Sequence, residues 1–315
     1  MTELSYLQAV VIGALQGVTE LFPVSSLGHS VLVPAWIGGS WSHLVTENAT
    51  GDSGGSPYLA FIVALHVATA AALLVFYRKD WVRIVRALVT TVRTRRVETS
   101  TQRLAWLLIV ATVPVGLTGL ALEHTFRTLF AKPLAAAVFL TVNGLILLFG
   151  ERLRRGSEVR QAAAARAAVV SAGPGAALEP GVPAKSTSRQ LDTLSYREAG
   201  VIGLFQTMAL LAGISRSGIT MVGGLLRGLD HEDAAKFSFL LATPVILAAG
   251  VLKLPSLAGP AAAHIHGQVA VGFFTAGIAA YAAVRFLSRY FTTRTLTPFA
   301  VYCLVAGIAS VIQFA

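Results

Sequence analysis

Residues 4–30 read LSYLQAVVIGALQGVTELFPVSSLGHS, and residues 194–220, offset by 190 positions, read LSYREAGVIGLFQTMALLAGISRSGIT. Without any gap, eleven of the 27 aligned positions are identical. Apolar sequences match by chance more readily than mixed ones, but polar residues and glycines carry much of this match. Examples are the pairs Gln16 and Gln206, Ser25 and Ser215, and Gly28 and Gly218. The two stretches therefore indicate an internal repeat.

The composition of the chain indicates the environment in which this repeat folds. Of 315 residues, 55% are hydrophobic and 13% are charged, and the mean hydropathy is +0.69. Soluble chains carry about 25% charged residues, so a disordered chain is excluded and a soluble enzyme is disfavoured. The single cysteine, Cys303, excludes internal disulfide bonds and thiolate metal clusters. The composition predicts a polytopic membrane protein.

Apolar runs of about 20 residues are long enough to cross a bilayer as helices. Six such runs are predicted to span the membrane: 58–77, 104–122, 133–150, 237–254, 267–287 and 297–314. Two further apolar stretches, 4–38 and 196–229, are too long for one span and contain Pro23, Pro34, Gly213 and Gly218. We expect an all-α polytopic fold in which these two stretches form broken or re-entrant helices.

The basic residues are concentrated between the apolar runs. Residues 78–103 contain eight Lys and Arg and residues 151–197 contain eight more, whereas 40–57 and 255–268 contain none. The positive-inside rule places the first two loops in the cytoplasm, together with Arg285, Arg289 and Arg294, and the last two outside. The net charge of +10 is therefore interpreted as a topology signal. Specific binding of anionic lipid is the alternative, and no nucleic-acid partner is expected.

Three predicted spans lie between the two copies of the repeat, and this odd number predicts that the copies have opposite orientations. The chain divides into a first membrane repeat, 1–155, and a second, 191–315. Between them, 156–190 is rich in Ala, Gly, Pro and Ser and is predicted to be a flexible cytoplasmic linker. Inverted repeats with broken helices place a binding site at their interface.

Polar residues in the first copy suit phosphoryl chemistry. Gln16 and Glu20 are four positions apart, on one helical face, and their oxygens suit Mg²⁺ or Ca²⁺, which commonly also bind substrate phosphate. The hydroxyl of Ser26 is a candidate nucleophile towards phosphorus, with His29 as general acid and base.

The second copy adds an anion-binding group. Arg216 offers a planar guanidinium that matches phosphate oxygens, and glycines beside hydroxyls let backbone N–H groups approach an anion. The predicted substrate-binding residues are Ser25, Gly28, Gly213, Ser215, Ser217 and Thr220. Together with Glu20 and Arg216, they predict a phosphoryl-group site within the membrane.

Each of these residues also has a structural interpretation. Glu20 and Arg216 could form an ion pair between the repeats, serines could bond to the preceding helical turn, and Gln16 and Gln206 could bridge helices. Their concentration in two repeated, broken segments favours a functional site, because charged residues inside apolar segments are costly.

The run GALQGVTELFPVSSLGHS at 13–30 resembles the first signature of the bacterial undecaprenyl-diphosphate phosphatase family of the bacitracin-resistance type. GISRSGIT at 213–220 and FSFLLATP at 237–244 resemble its second signature, and the resemblance covers nearly the whole chain. It implies hydrolysis of undecaprenyl diphosphate to the monophosphate in the bacterial plasma membrane. This reaction recycles the lipid carrier of peptidoglycan synthesis, with links to cell shape and antibiotic resistance.

The resemblance also implies roles for individual residues. The family's Glu- or Gln-x-x-x-Glu pattern is met by Gln16 and Glu20, and its arginine by Arg216. Its hydroxyl and histidine turn is met by Ser25, Ser26 and His29. The resemblance also implies that this protein requires a divalent cation, commonly Mg²⁺ or Ca²⁺. It further implies that the site opens to the outer face of the membrane.

The chain departs from the family pattern at three positions. Many members have glutamate at the position of Gln16, proline at that of Ala212, and glutamine at that of His66. Alanine in place of proline at position 212 is expected to relax the loop that presents Arg216. We interpret His66 as a neutral donor facing the bundle and not as a catalytic group.

Two alternatives stay open from the sequence. A metal-activated water could attack phosphorus while Ser26 only orients the phosphate. A secondary transporter or lipid flippase could use Glu20 and His29 as a proton relay, although the serine and arginine turn suits an anion better. The expected partners are a polyprenyl diphosphate and membrane lipid, and a homodimer is left open.

Overall fold

The described parts of the chain fold almost entirely into helices. A computed structural model describes residues 4–49, 57–121, 132–171, 189–257 and 264–315. Its helices are α1 (Tyr6–Thr19), α2 (Ser26–Ile37), α3 (Ser40–Ala49), α4 (Pro57–Phe76), α5 (Arg78–Thr94), α6 (Ser100–Ala121), α7 (Pro133–Ser171), α8 (Tyr196–Gln206), α9 (Arg216–Leu225), α10 (His231–Leu257), α11 (His266–Tyr290) and α12 (Thr297–Phe314). Within these ranges there is no β-strand, only an isolated bridge between Arg189 and Leu229.

Five helices, α6, α7, α10, α11 and α12, are long and apolar enough to cross a membrane. A sixth candidate is α4, whose residues 60–76 pass the same test together with α5, which leaves α4 at a bend of 87°. These helices coincide with the six predicted spans, of which only residue 122 lies outside the described ranges. Large apolar side chains on their outer faces are widely exposed, such as Ile312 at 77% and Ile278 at 73%. Such surfaces suit contact with lipid, and the all-α polytopic class is confirmed.

Helix α5 has the pattern of a helix that lies along the membrane surface. One face exposes valines at helical spacing, namely Val82, Val85, Val89 and Val92. The adjoining face carries exposed basic side chains, namely Lys79, Arg83, Arg86 and Arg93. A basic amphipathic helix of this kind buries its apolar face among acyl chains and keeps its charges among the lipid headgroups.

The two interrupted apolar stretches, 4–38 and 196–229, form short helices separated by breaks, as predicted. Helix α1 has 14 residues and α2 has 12, which correspond to lengths of about 21 and 18 Å. Neither length covers a hydrocarbon core of about 30 Å. Helices α8 and α9 repeat this arrangement in the second half. Both α1 and α8 begin at a serine capping box, formed by Ser5 with Gln8 and by Ser195 with Glu198.

The helix contacts follow the repeat. Helix α1 of the first repeat packs on α11 of the second, and α8 of the second packs on α6 of the first. Helices α6 and α11 hold equivalent places in the order of spanning helices. Contacts exchanged in this way are typical of two halves related by a twofold axis, which fits the inverted repeat.

Equivalent glycines allow the exchanged helices to approach closely. A Cβ atom at Gly13 would lie 2.7 Å from the carbonyl oxygen of Gly272 on α11. A Cβ atom at Gly203 would lie 2.3 Å from the carbonyl oxygen of Ala111 on α6. Small residues at such crossings let membrane helices pack backbone against backbone.

The segment 156–190, predicted to be a flexible linker, begins as helix. Helix α7 continues through it to Ser171, because its many alanines are strong helix formers. Near the C-terminal end of this segment, Arg189 forms an ion pair with Glu198, with 2.7 Å between Nη1 and Oε1. Residues 172–188 lie outside the described ranges, and the boundaries of the two repeats stay a prediction.

Substitution of Gly203 by alanine is expected to destabilise the fold, because the new methyl group would overlap the backbone of α6. We expect a cost of about 1–3 kcal/mol, measured as a lower melting temperature of the purified protein in detergent. The matched control is Gly200→Ala in the same helix, where the nearest atom to a Cβ is 3.8 Å away. That change should be neutral or stabilise by up to about 1 kcal/mol, and an equal loss in both variants would contradict the packing.

Candidate active site

Glu20 is the centre of the predicted site. It lies at the C-terminal cap of α1 and is only 7% exposed. Its Oε1 atom pairs with Nη2 of Arg216, and its Oε2 atom accepts hydrogen bonds from the hydroxyl of Ser26 and from Nε2 of Gln16, the latter at 2.9 Å. Four of the residues predicted from the sequence are thus brought together around one buried carboxylate.

Arg216 and Ser26 approach this carboxylate from equivalent positions in the repeat. Ser26 is the first residue of α2, and Arg216 is the first residue of α9. The Arg216 guanidinium also donates to the carbonyl oxygen of Ala242 on α10, at 3.0 Å, which fixes its orientation. Two helix N-termini therefore meet near Glu20, and the positive ends of their dipoles favour an anion there.

The two breaks are joined by hydrogen bonds between predicted substrate-binding residues. The hydroxyl of Ser25 accepts from the backbone N–H groups of Gly28 and Gly213, both at 3.2 Å. The hydroxyl of Ser215 accepts in the same way from Gly218, at 3.1 Å. The bond from Gly213 to Ser25 joins the two breaks, whereas the bonds from Gly28 and Gly218 cap α2 and α9, and none of these bonds is made to Glu20.

Two residues of this join adopt unusual backbone conformations. Ser25 has φ +70° and Gly213 has φ +112°, and a non-glycine residue at positive φ is uncommon. A Cβ atom at Gly213 would lie 2.5 Å from the carbonyl oxygen of Ala136 on α7. Only glycine fits the turn that precedes Arg216, which explains this residue type in the second motif.

Asn143 is a site residue that sequence reasoning missed. It is fully buried on α7, its Nδ2 atom donates to the carbonyl oxygen of Pro23 at 3.0 Å, and its Oδ1 atom accepts from the N–H of Ser215 at 2.9 Å. The hydroxyl of Ser217 adds a bond to the carbonyl oxygen of Phe22 at 3.1 Å. The available signal was an amide inside an apolar span, since such residues commonly bond across helices.

His29 does not contact the carboxylate cluster in this arrangement. Its Nδ1 atom lies 2.7 Å from the carbonyl oxygen of Ser25, and its Nε2 atom lies 2.7 Å from the hydroxyl of Tyr302. The two rings also stack, with 5.7 Å between centroids. Because both ring nitrogens are engaged, direct exchange of a proton with Ser26 requires the Tyr302 contact to open, and the acid and base role stays a prediction.

Thr220, another predicted substrate-binding residue, is bonded within the bundle. Its hydroxyl lies 2.7 Å from the hydroxyl of Ser238 on α10 and donates to the carbonyl oxygen of Arg216, at 2.8 Å. These bonds fix the first turn of α9 against α10. These hydrogen bonds help to hold the backbone of Arg216 in place, and neither of them involves Glu20.

His66 on α4 belongs to the cluster, although the sequence pattern was interpreted otherwise. Its Nε2 atom lies 3.4 Å from Oε2 of Glu20, and its Nδ1 atom lies 2.8 Å from the carbonyl oxygen of Ile62. Its side chain is 22% exposed, against 6% for Glu20 and 15% for Arg216. The ring bonds to a carbonyl oxygen of its own helix and also reaches the predicted site, and its interpretation as a neutral donor facing the bundle stays a prediction.

The donors around Glu20 fit a hard divalent cation in part. The Oε1 atom of Gln16 is buried and has no hydrogen-bond partner within the described ranges, so it has a free electron pair beside the carboxylate. Carboxylate and amide oxygens suit Mg²⁺ and Ca²⁺. In the described part of the chain, no group of three or more His, Cys, Asp or Glu is arranged so that it could hold a metal ion. Substrate or water would have to complete the coordination of any ion held by Gln16 and Glu20.

Two surface cavities lie elsewhere. They measure about 550 and 460 Å³ and share Tyr290, Thr293 and Arg294 at the junction of α11 and α12. Neither is lined by a predicted site residue. They are on the side that the charge bias assigns to the cytoplasm.

Comparison with known proteins identifies the relatives of this chain. Residues 9–309 match the family model described as bacitracin resistance protein BacA. A protein of Frankia alni named undecaprenyl-diphosphatase 2 is 67% identical, over 100% of this chain and 99% of that protein. Proteins named undecaprenyl-diphosphatase from Mycolicibacterium paratuberculosis and Mycobacterium avium are 57% and 56% identical, each over 99% of this chain and 98% of the relative.

Removal of one partner of the Glu20–Arg216 pair is expected to destabilise the fold strongly. Arg216→Met leaves a buried carboxylate without its cation, at a cost of about 3–5 kcal/mol, and the double variant Glu20→Gln with Arg216→Met should recover much of the loss. Melting temperatures in detergent measure both. The control is Arg83→Met in the exposed pair with Asp80, with a change of at most about 1 kcal/mol. A double variant as unstable as Arg216→Met would contradict the pairing.

Proposed function

This chain belongs to the bacitracin resistance protein BacA family, and we propose that it hydrolyses undecaprenyl diphosphate to undecaprenyl phosphate and inorganic phosphate. The protein is a multi-pass bacterial membrane protein, and the reaction returns the lipid carrier of cell-wall synthesis to its monophosphate form. The observation that carries this function is the meeting of two half-helix N-termini, with Ser26 and Arg216, at one buried carboxylate. The Glu20–His29 relay of the transporter alternative has no support, because both nitrogens of His29 bond elsewhere.

The diphosphate is proposed to enter between α2 and α9 while the prenyl chain lies among the apolar helices. The first N–H groups of a helix have no partner within the helix, so those of 26–27 and 216–217 are available to phosphate oxygens. Arg216, held by the carbonyl of Ala242, adds a fixed positive charge. Together they stabilise the charge that develops on the phosphoryl group, which is the main requirement of phosphoryl transfer.

Ser26 is the proposed nucleophile. Its hydroxyl donates to Glu20, so the carboxylate is in position to accept the proton as Oγ bonds to the terminal phosphorus. The bond from that phosphorus to the bridging oxygen breaks, and undecaprenyl phosphate leaves. Water then hydrolyses the phosphoserine to regenerate Ser26 and release phosphate. The alternative, direct attack by water oriented by Ser26, uses the same contacts.

Two further groups have proposed supporting roles. Glu20 and Gln16 are the residues that would hold Mg²⁺ or Ca²⁺, an ion that neutralises charge on phosphate oxygens when bound. His29 contacts the carbonyl of Ser25, the residue before the nucleophile. As a general acid and base it would act after exchanging its Tyr302 contact for one with the reacting oxygens.

The proposed site residues are expected to be required for turnover. Glu20→Gln, Arg216→Met and the double variant should each release little phosphate from a prenyl diphosphate, and the double variant should stay inactive even where its stability recovers. Rapid quenching of the wild type should trap phosphate on Ser26, whereas Ser26→Ala should form no such adduct. Substantial turnover by Ser26→Ala would favour attack by water. Normal turnover by the double variant would contradict the assignment of the active site to Glu20 and Arg216.

We also propose that the site opens to the outer face, an orientation supported by the charge bias of the loops. Because the native Cys303 is buried, single cysteines can be introduced with little background. Ser40→Cys should react with a membrane-impermeant maleimide in intact cells, and Ser157→Cys should react only after permeabilisation. Labelling of both positions from one side would contradict the orientation.

A further inference from the structure

The hydrogen bond of His66 to its own helix determines which ring nitrogen carries the proton. Its Nδ1 atom lies 2.8 Å from the carbonyl oxygen of Ile62. A carbonyl oxygen can only accept, so Nδ1 is the protonated nitrogen. In the neutral ring, Nε2 therefore has a free electron pair, and it lies 3.4 Å from Oε2 of Glu20. Two electron-pair donors at this separation are favourable neighbours only with a proton or a cation between them.

The cationic side chain of the cluster does not fill this position. Arg216 contacts the other oxygen of Glu20, Oε1. On the Oε2 side, the Gln16 amide donates through Nε2 at 2.9 Å and leaves its own Oε1 atom buried without a partner within the described ranges. Nε2 of His66 and Oε1 of Gln16 therefore offer electron pairs on side chains that both lie beside Glu20. The Oε2 atom of Glu20 accepts from Ser26 and Gln16, so an ion bound to it would take the place of one of these hydrogen bonds.

We propose that Nε2 of His66 is a ligand of the divalent cation of this site, together with Glu20 and Gln16. The inference rests on the proposed function, because it concerns the cation assigned there to Glu20 and Gln16. Metal-bound histidines commonly donate their second ring nitrogen to a backbone carbonyl, which fixes the tautomer and the ring orientation. The Nδ1 bond to Ile62 provides this arrangement.

A nitrogen ligand changes which ion the site prefers. Carboxylate, carbonyl and water oxygens suit Mg²⁺ and Ca²⁺, whereas imidazole binds first-row transition metals more readily. The chain should therefore bind Mn²⁺ more tightly, relative to Mg²⁺, than the same site without the imidazole does. Replacement of His66 by glutamine, an amide of similar reach, should remove this preference.

The test uses the full chain in detergent with Mn²⁺ as the probe. Three-pulse electron spin-echo spectroscopy detects a directly bound imidazole through the coupling of its ¹⁴N nucleus to Mn²⁺. The wild type should show this coupling. His66→Gln should lose it, and its Mn²⁺ affinity should fall at least about tenfold, since even second-shell changes at metal sites cost 10- to 100-fold. A second variant, His66→Ala, guards against an effect specific to the glutamine.

The matched control is His231→Gln. His231 is a buried histidine that also contacts a carboxylate, with 2.8 Å between its Nε2 and Oε2 of Glu151, so it offers an alternative nitrogen source for bound Mn²⁺. This variant should keep the wild-type coupling. If His231→Gln lost the coupling while His66→Gln kept it, the Mn²⁺ ion would be bound at His231 and Glu151, and the inference would be overturned.

Other outcomes also separate the inference from the proposed function. Bound Mn²⁺ without nitrogen coupling in a wild type that releases phosphate would indicate that a proton lies between His66 and Glu20, and would overturn the ligand assignment alone. Failure of the wild type to bind Mn²⁺ would do the same. An intact coupling in a wild type that releases no phosphate would leave His66 as a ligand and contradict the hydrolytic function.

Discussion

The buried carboxylate of Glu20 is the constraint on which the rest of the structure depends. A charge removed from water is costly unless it is paired and hydrogen-bonded, and no single helix of this chain supplies enough partners. Arg216 comes from the second repeat, and Ser26 and Gln16 from the first. The carboxylate is satisfied only where the two broken segments meet, so the pairing of charges and the docking of the repeats depend on each other.

Breaking a helix inside a membrane creates a second demand. Backbone groups freed at the break must find partners within the protein, because lipid offers none. Ser25 and Asn143 meet much of this demand: the hydroxyl of Ser25 accepts from two backbone N–H groups, and the amide of Asn143 bridges Pro23 and Ser215. The polar side chains near the site thus have two tasks, and most of those between the breaks hold the backbone while few face the carboxylate.

Hydropathy and the repeat were sufficient to predict the spans, the breaks and the Glu20–Arg216 encounter, because these follow from local composition and from a visible duplication. The contacts of His66 and Asn143 could not be predicted in this way, since each joins helices distant in sequence and neither residue is part of the repeat. The Tyr302 contact of His29 spans 273 positions, for which a single sequence carries no signal. The overall composition of 156–190 predicts a flexible linker, but the alanines at its start favour helix locally, and α7 continues to Ser171.

The repeat itself separates scaffold from chemistry. Several positions that are identical in both copies are structural: Ser25 and Ser215 cap α2 and α9, Gly28 and Gly218 donate to these caps, and Gly13 and Gly203 allow close helix crossings. Positions that differ carry the charge and the nucleophile: Glu20 is matched by Leu210, Ser26 by Arg216 and His29 by Ile219. A symmetric scaffold can bring two helix N-termini together, but it would place like groups opposite each other. A phosphoryl site needs a carboxylate facing a guanidinium and a hydroxyl. The chemistry therefore requires the two copies to differ at the positions of Glu20 and Ser26, whereas the fold requires them to agree at the helix caps and crossings.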